Sequence, residues 1–176
     1  MTTNTGTPLN PSGMVHFTGF KRDYRNELID QIYAGDLFGN VWRFDLSDAN
    51  DANWVVEKFA VLTDAGGTPQ PITTPPRVDV DIANGIDRWV FVGTGRLLHE
   101  DDLTTYGEQV QTMYVIRDGT VLKMNTSGLP HKPRTDADFW KLTKMIDGFS
   151  KLSVKGWYHD LPKGERIISP IAAELN

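Results

Sequence analysis

Between Ile32 and Leu46 the chain reads Ile-Tyr-Ala-Gly-Asp-Leu-Phe-Gly-Asn-Val-Trp-Arg-Phe-Asp-Leu, and this stretch restricts the fold more than any other. Ile32, Tyr33 and Ala34 run extended into Gly35-Asp36. Phe38-Gly39-Asn40 carries turn chemistry, because Gly and Asn accept positive φ at low steric cost. From Val41 the residues alternate, with Val41, Arg43 and Asp45 on one face and Trp42, Phe44 and Leu46 on the other. A strand, a glycine turn and a strand with an aromatic face are typical of a β-propeller blade or a related antiparallel repeat.

The rest of the chain supplies more pieces of the same kind. Strands are predicted at residues 15–20, 54–62, 78–82, 88–93 and 111–117, each rich in β-branched or aromatic side chains. Asn84-Gly85 reads as a hairpin turn, and Asp118-Gly119 as a turn into a further strand over 120–124. Residues 165–171 read as a last strand. Sixteen Gly and ten Pro fit a chain of many turns. The period changes once. Thr135 and Asp138 resemble a capping box, and Phe139, Leu142 and Ile146 share a helical face that Gly148 can end. This predicts a helical insertion near 135–147.

The expected fold is therefore mainly β: a partial β-propeller with quinoprotein-like blades and one helical insertion. Two blade-like units trace to about residues 30–75 and 76–125. The expected organisation is an N-terminal extension and charged connector over 1–30 and antiparallel β units over 31–130. A helical insertion over 131–155 and a final strand segment over 156–176 complete it. A propeller ring takes about four to eight blades. Two imply a chain truncated relative to a full ring, stabilised by its helix, by self-association or by further chain.

Composition removes several function classes. With 176 residues the chain suits one domain with a real core. A net charge of −5 and a pI near 5.3 argue against a nucleic-acid partner, which calls for a basic face. The absence of cysteine excludes disulfide and thiolate chemistry. No apolar run approaches the ~20 residues of a membrane span. The N-terminal residues lack the charged and apolar regions of a secretory signal.

Four blocks, in order, resemble the C-terminal propeller domain of the PilY-type type IV pilus biogenesis factors and tip adhesins. They are Tyr33-Ala-Gly-Asp-Leu-Phe-Gly-Asn-Val-Trp-Arg-Phe-Asp-Leu46, Gln70-Pro-Ile-Thr-Thr-Pro-Pro76, Val90-Phe-Val-Gly-Thr-Gly-Arg96 and Gly156-Trp-Tyr-His-Asp-Leu-Pro162, the last followed by Gly164-Glu-Arg166 and Ser169-Pro170. The resemblance spans about residues 31–170. It implies a non-enzymatic structural or interaction module at the cell envelope or pilus tip. That module would act in surface attachment and in pilus extension and retraction, with pilus components or a surface ligand as partners.

The resemblance also implies calcium. The family carries a nine-residue loop with oxygen ligands at odd positions, just before the Tyr-Ala-Gly-Asp block. Carried over, Asp30 takes the last ligand position, Leu28 offers a backbone carbonyl and Asn26 takes a third. Tyr24 and Arg22 fall on the first two, and Arg22 puts a positive charge where Ca²⁺ needs a carboxylate.

Other candidates have plainer readings beside the functional one. Asp45, Asp48, Asn50 and Asp51 could hold a weak Ca²⁺ or simply form turns. Asp79, Asp81 and Asp87 flank the Asn84-Gly85 hairpin, where alternation explains Asp79 and Asp81 as one solvent face. His16, His99, His131 and His159 show no metal-ligand spacing. Gly93-Thr94-Gly95 looks like half a phosphate loop, with close packing as the alternative. Trp42 and Trp89 read as core, while Trp140 lies beside the helical stripe and is a candidate partner contact. Two further functions stay open at this level. One is a fragment of a quinoprotein-type propeller enzyme, whose repeats the Ala34-x-Asp36…Gly39…Trp42 spacing resembles. The other is a free-standing, self-associating β protein.

Overall fold

Turn residues divide the chain into strands, and the apolar alternation of those strands stacks them as two sheets. The computed structural model describes residues 1–23, 25–81, 86–104, 108–143 and 154–172. The first sheet has the order β1-β2-β3-β4, with β1 Met14–Phe20, β2 Gln31–Asp36, β3 Asn40–Asp45 and β4 Val55–Val61. The second has the order β5-β6-β7-β9-β8, with β5 Arg77–Val80, β6 Asp87–Gly93, β7 Thr112–Thr120, β8 Phe139–Lys141 and β9 Gly156–Asp160. Strand pairing is antiparallel except between β8 and β9.

The predicted hairpin is β2–β3, with Ala34 opposite Trp42 and Tyr33 opposite Arg43. Gly39 makes its turn with φ of +72°, and a Cβ there would run into the backbone of Leu62 and Gln70. Asp36 organises the same turn. Its buried carboxylate accepts from the N–H groups of Phe38 and Asn40, the Asn40 amide and the Trp42 indole.

The main core lies between the sheets. Phe20, Tyr33, Val41, Phe59 and Ala60 come from the first, and Val90, Val92, Tyr114, Ile116 and Phe139 from the second. A second cluster joins Val115, Leu142 and Trp157 with Trp89, Phe91, Met113 and Trp140. By strand alternation it lies on the opposite face of the second sheet. That sheet is thus apolar on both faces.

Several expectations need correction. No α-helix occurs among the described residues: of the helical insertion expected near 135–147, residues 135–143 are not helical, and Phe139–Lys141 is strand β8. Phe139 packs in the inter-sheet core and Leu142 in the second cluster. Two positions buried on opposite faces produced an i, i+3 spacing that reads as a helix. The Thr135–Asp138 capping box does not form either. Asp136 accepts the Asp138 N–H at 3.0 Å, and Lys155 bridges both carboxylates. Ile146 and Gly148 lie outside the described residues, as does the Asn84-Gly85 hairpin.

The turn expected at Asp118-Gly119 is a bulge inside β7. Opposite it, Asp87 pairs with Thr120 but Trp89 pairs with Arg117, and Gly119 has φ of +66°. The chain turns later, where the Thr120 N–H bonds the Lys123 carbonyl, and 120–124 is not a second strand. The strand expected over 165–171 is also absent. That segment is extended coil, held where the Ile167 N–H donates to the Thr94 carbonyl at 3.0 Å.

Candidate functional site

The polar groups with the strongest geometry are structural clamps between the sheets. The first centres on Asp118, which the β7 bulge turns inward to complete burial. Arg43 of β3 reaches across the core to Asp118 Oδ1, and the Tyr33 hydroxyl of β2 donates to Oδ2 at 2.5 Å. Arg88 of β6 lies 3.3 Å from Oδ2 and donates to the Gln31 side-chain oxygen at 3.1 Å. Arg43 also pairs with Glu57 at 2.5 Å, so two buried guanidinium groups meet two carboxylates. Their planes cover aromatic rings: Arg43 lies over Phe59 and Arg88 over Phe20. Burial, and the Asp118 charge beside it, push the Tyr33 hydroxyl well above its ordinary pKa, so it stays protonated and donates.

The second clamp ties the end of β9 to the loop after β4. Arg134 donates to the Thr63 carbonyl at 2.7 Å and to Asp160 at 2.5 Å, and Thr112 bridges to Asp160 at 2.9 Å. The Tyr114 hydroxyl lies 2.6 Å from Gln70 Oε1, and the Gln70 amide donates to the Val110 carbonyl at 2.7 Å. Burial raises the Asp160 carboxyl, but the hydrogen bonds from Arg134, Lys141 and Thr112 outweigh it and lower its pKa to about 2.

The motif blocks fall on these clamps. The Gln70-to-Pro76 block straps the sheets together. The Ile72 N–H donates to the Asp36 carbonyl, and the Gly95 N–H to that of Pro71. Gly93 and Gly95 admit Ile167 and Arg166 at close range, so packing explains that Gly-Thr-Gly run.

The residues proposed for calcium lie in the loop between β1 and β2. Asn26 Oδ1 accepts the Leu28 N–H at 3.1 Å. Asp30 Oδ2 accepts the backbone N–H of Arg22 at 2.6 Å, and the Arg22 guanidinium stands 3.6 Å from Oδ1. Tyr24 lies outside the described residues. A calcium ion takes six to eight oxygens, and a cation at a ligand position repels it. The donor set therefore does not fit one: its side-chain oxygens are engaged by the protein, and an arginine faces the carboxylate. Among the described residues no group of three His, Cys, Asp or Glu could hold a metal ion.

The acidic loop after β3 forms successive turns: Asp45, Asp48 and Asn50 each accept the N–H two residues on. Asp79 pairs with Arg77 and Asp87 with Arg117. His131 is buried between Phe59 and Phe139, with Asn125 3.2 Å from Nε2. Trp140 lies on β8 opposite Trp157, half-buried against the second cluster. The sequence reading gave Asp118 only a turn and missed Arg134 altogether. The signal for the first was an arginine in each of two apolar strands, Arg43 and Arg88, needing an inward anion.

No family model matches the chain. Among curated proteins it is 33% identical over 152 residues to a type IV pilus biogenesis factor PilY1 homolog of Xylella fastidiosa, covering 81% of this chain and 12% of that one. It is 30% identical over 168 residues to type IV pilus biogenesis factor PilY1 of Pseudomonas aeruginosa, covering 76% of this chain and 14% of that one. The chain thus spans about an eighth of the length of these relatives. Among solved structures, the Pseudomonas aeruginosa PilY1 C-terminal domain matches with a TM-score of 0.73 at 23% identity, covering 96% of this chain and 44% of that one. No helix among the described residues is long and apolar enough to cross a membrane. Over about four fifths of its length the chain is a relative of the PilY1-type type IV pilus biogenesis factors, and its fold is that of part of a PilY1 C-terminal domain.

Proposed function

We propose that the chain is a non-enzymatic structural and interaction module of a type IV pilus biogenesis or tip-adhesin protein, working at the cell envelope in surface attachment and pilus extension and retraction. The observation that carries this reading is the sequence relation to two PilY1-type factors across most of the chain. The geometry supports it, because the motif residues Asp36, Gln70, Arg43 and Asp160 are spent on holding sheets rather than on a reacting centre. On the same reading the two sheets are successive blades of a propeller. Their mostly antiparallel strands and face-to-face stacking support that.

The test is genetic. A chromosomal Asp118→Ala change in the gene that encodes the chain is predicted to reduce surface pili and pilus-dependent attachment, scored by electron microscopy and a surface-binding assay. Normal piliation despite loss of the folded module would overturn the reading. A contact role for Trp140 belongs to the same proposal: Trp140→Ala should weaken attachment more than Trp140→Phe, which keeps an apolar ring against the second cluster, at a comparable unfolding free energy from urea titration.

A further inference from the structure

We infer that Arg22 is the built-in cation of the loop between β1 and β2, standing where a divalent ion would sit and closing residues 22–30 without one. The Asp30 carboxylate meets Arg22 at both oxygens, with the backbone N–H at 2.6 Å and the guanidinium at 3.6 Å. The Asp30 side chain is only 13% exposed, so this pair is screened less than an open surface pair. Among the described residues of the loop, three more side-chain oxygens are engaged by the protein. Asn26 takes the Leu28 N–H, Asp23 takes the Arg25 N–H and Glu27 pairs with Lys21.

The closure reaches the sheet. The Asp30 N–H donates to the Phe20 carbonyl at the end of β1, and the Leu46 N–H donates to the Asp30 carbonyl just past β3. One charge pair therefore fixes the loop where the ends of three strands meet. A metal-held loop would open on chelation. An arginine-held loop is indifferent to chelation and loosens only when the arginine is lost. The inference goes beyond the pilus reading: the ion position is the one the family resemblance implies, while the Arg22–Asp30 closure stands on its own distances.

Glu27 is almost fully exposed, so cleavage after it by a glutamyl endopeptidase reports loop opening. Wild-type protein is expected to be cut at one rate in EDTA and in millimolar calcium chloride. Arg22→Gln should be cut about two- to fivefold faster, the effect of one partly exposed charge pair, and calcium should not slow it. Arg22→Lys should stay near wild type. Arg22→Asp places two carboxylates together, so its cleavage should be fast in EDTA and slowed by calcium. Calcium protection of the wild type with saturable heat in titration would overturn the inference. So would an Arg22→Gln loop cut at the wild-type rate, or an Arg22→Asp loop that ignores calcium.

Discussion

The Asp118 carboxylate is wholly buried with two guanidinium groups facing it, and that single residue sets much of the energetics. A buried pair need not beat a well-packed apolar substitute, but breaking one strands the partner charge. Asp118→Asn is therefore predicted to lower the unfolding free energy by about 3–5 kcal/mol, read from urea titration. His131 makes a second residue-scale prediction. Burial pushes its pKa below the ordinary value and the Lys155 charge adds to this, while Asp118 and Asp136 pull the other way. The unfolded chain then takes up the proton first, near pH 6.5. Stability is full above that pH and is lost as pH falls through the depressed folded value. His131→Gln keeps an acceptor for Asn125 and should flatten the stability profile between about pH 7 and pH 5. An unchanged slope would remove His131 from the account.

At the scale of elements, hairpin β2–β3 was legible because its turn chemistry and its alternation agree. Gly39 is the position that enforces it. Its positive φ and the carbonyls around it leave no room for a side chain. Gly39→Ala should cost about 1–3 kcal/mol, measured as a lower urea midpoint. Strand β8 was not legible, because a sheet buried on both faces loses its period of two. Phe139 and Leu142 are three residues apart and each is buried, but on opposite sides. The inward Asp118 was hidden for a related reason: Asp-Gly reads as an exposed turn, whereas a bulge uses the same pair to aim the carboxylate inward. The calcium loop that the resemblance implies carries Arg22 at a ligand position, and that much is read from the sequence. What the sequence could not show is that Arg22 turns onto Asp30. The end of β9 carries the acid-sensitive contact. Asp160 has a folded pKa of about 2 against about 3.9 unfolded. Its contribution is present above about pH 4 and lost as pH falls towards 2, of order 1–2 kcal/mol after solvent screening. Arg134→Ala should reduce that acid-dependent component of the urea midpoint, with Lys141 and Thr112 keeping the rest.

At the scale of the whole molecule, the chain is two sheets clamped face to face by charged and hydrogen-bonded side chains set within an apolar core. The blocks that resemble the PilY-type factors supply Tyr33, Arg43, Gln70 and Asp160 to those clamps, while Asp118, Arg88 and Arg134 lie outside them. This explains why the family was readable from short motifs, while the outer surfaces that would meet a partner were not. Surface contacts carry no periodicity and no turn chemistry, so Trp140 could be flagged only by its place beside a stripe. Native-state hydrogen exchange on wild type and Asp118→Asn tests the central claim most directly. If the sheets stand or fall together, core amides of β3 and β7 open with one common free energy, and the substitution lowers both by the same amount. If it lowers protection in β7 and leaves β3 unchanged, the sheets are independent units and the clamp does not hold the molecule together.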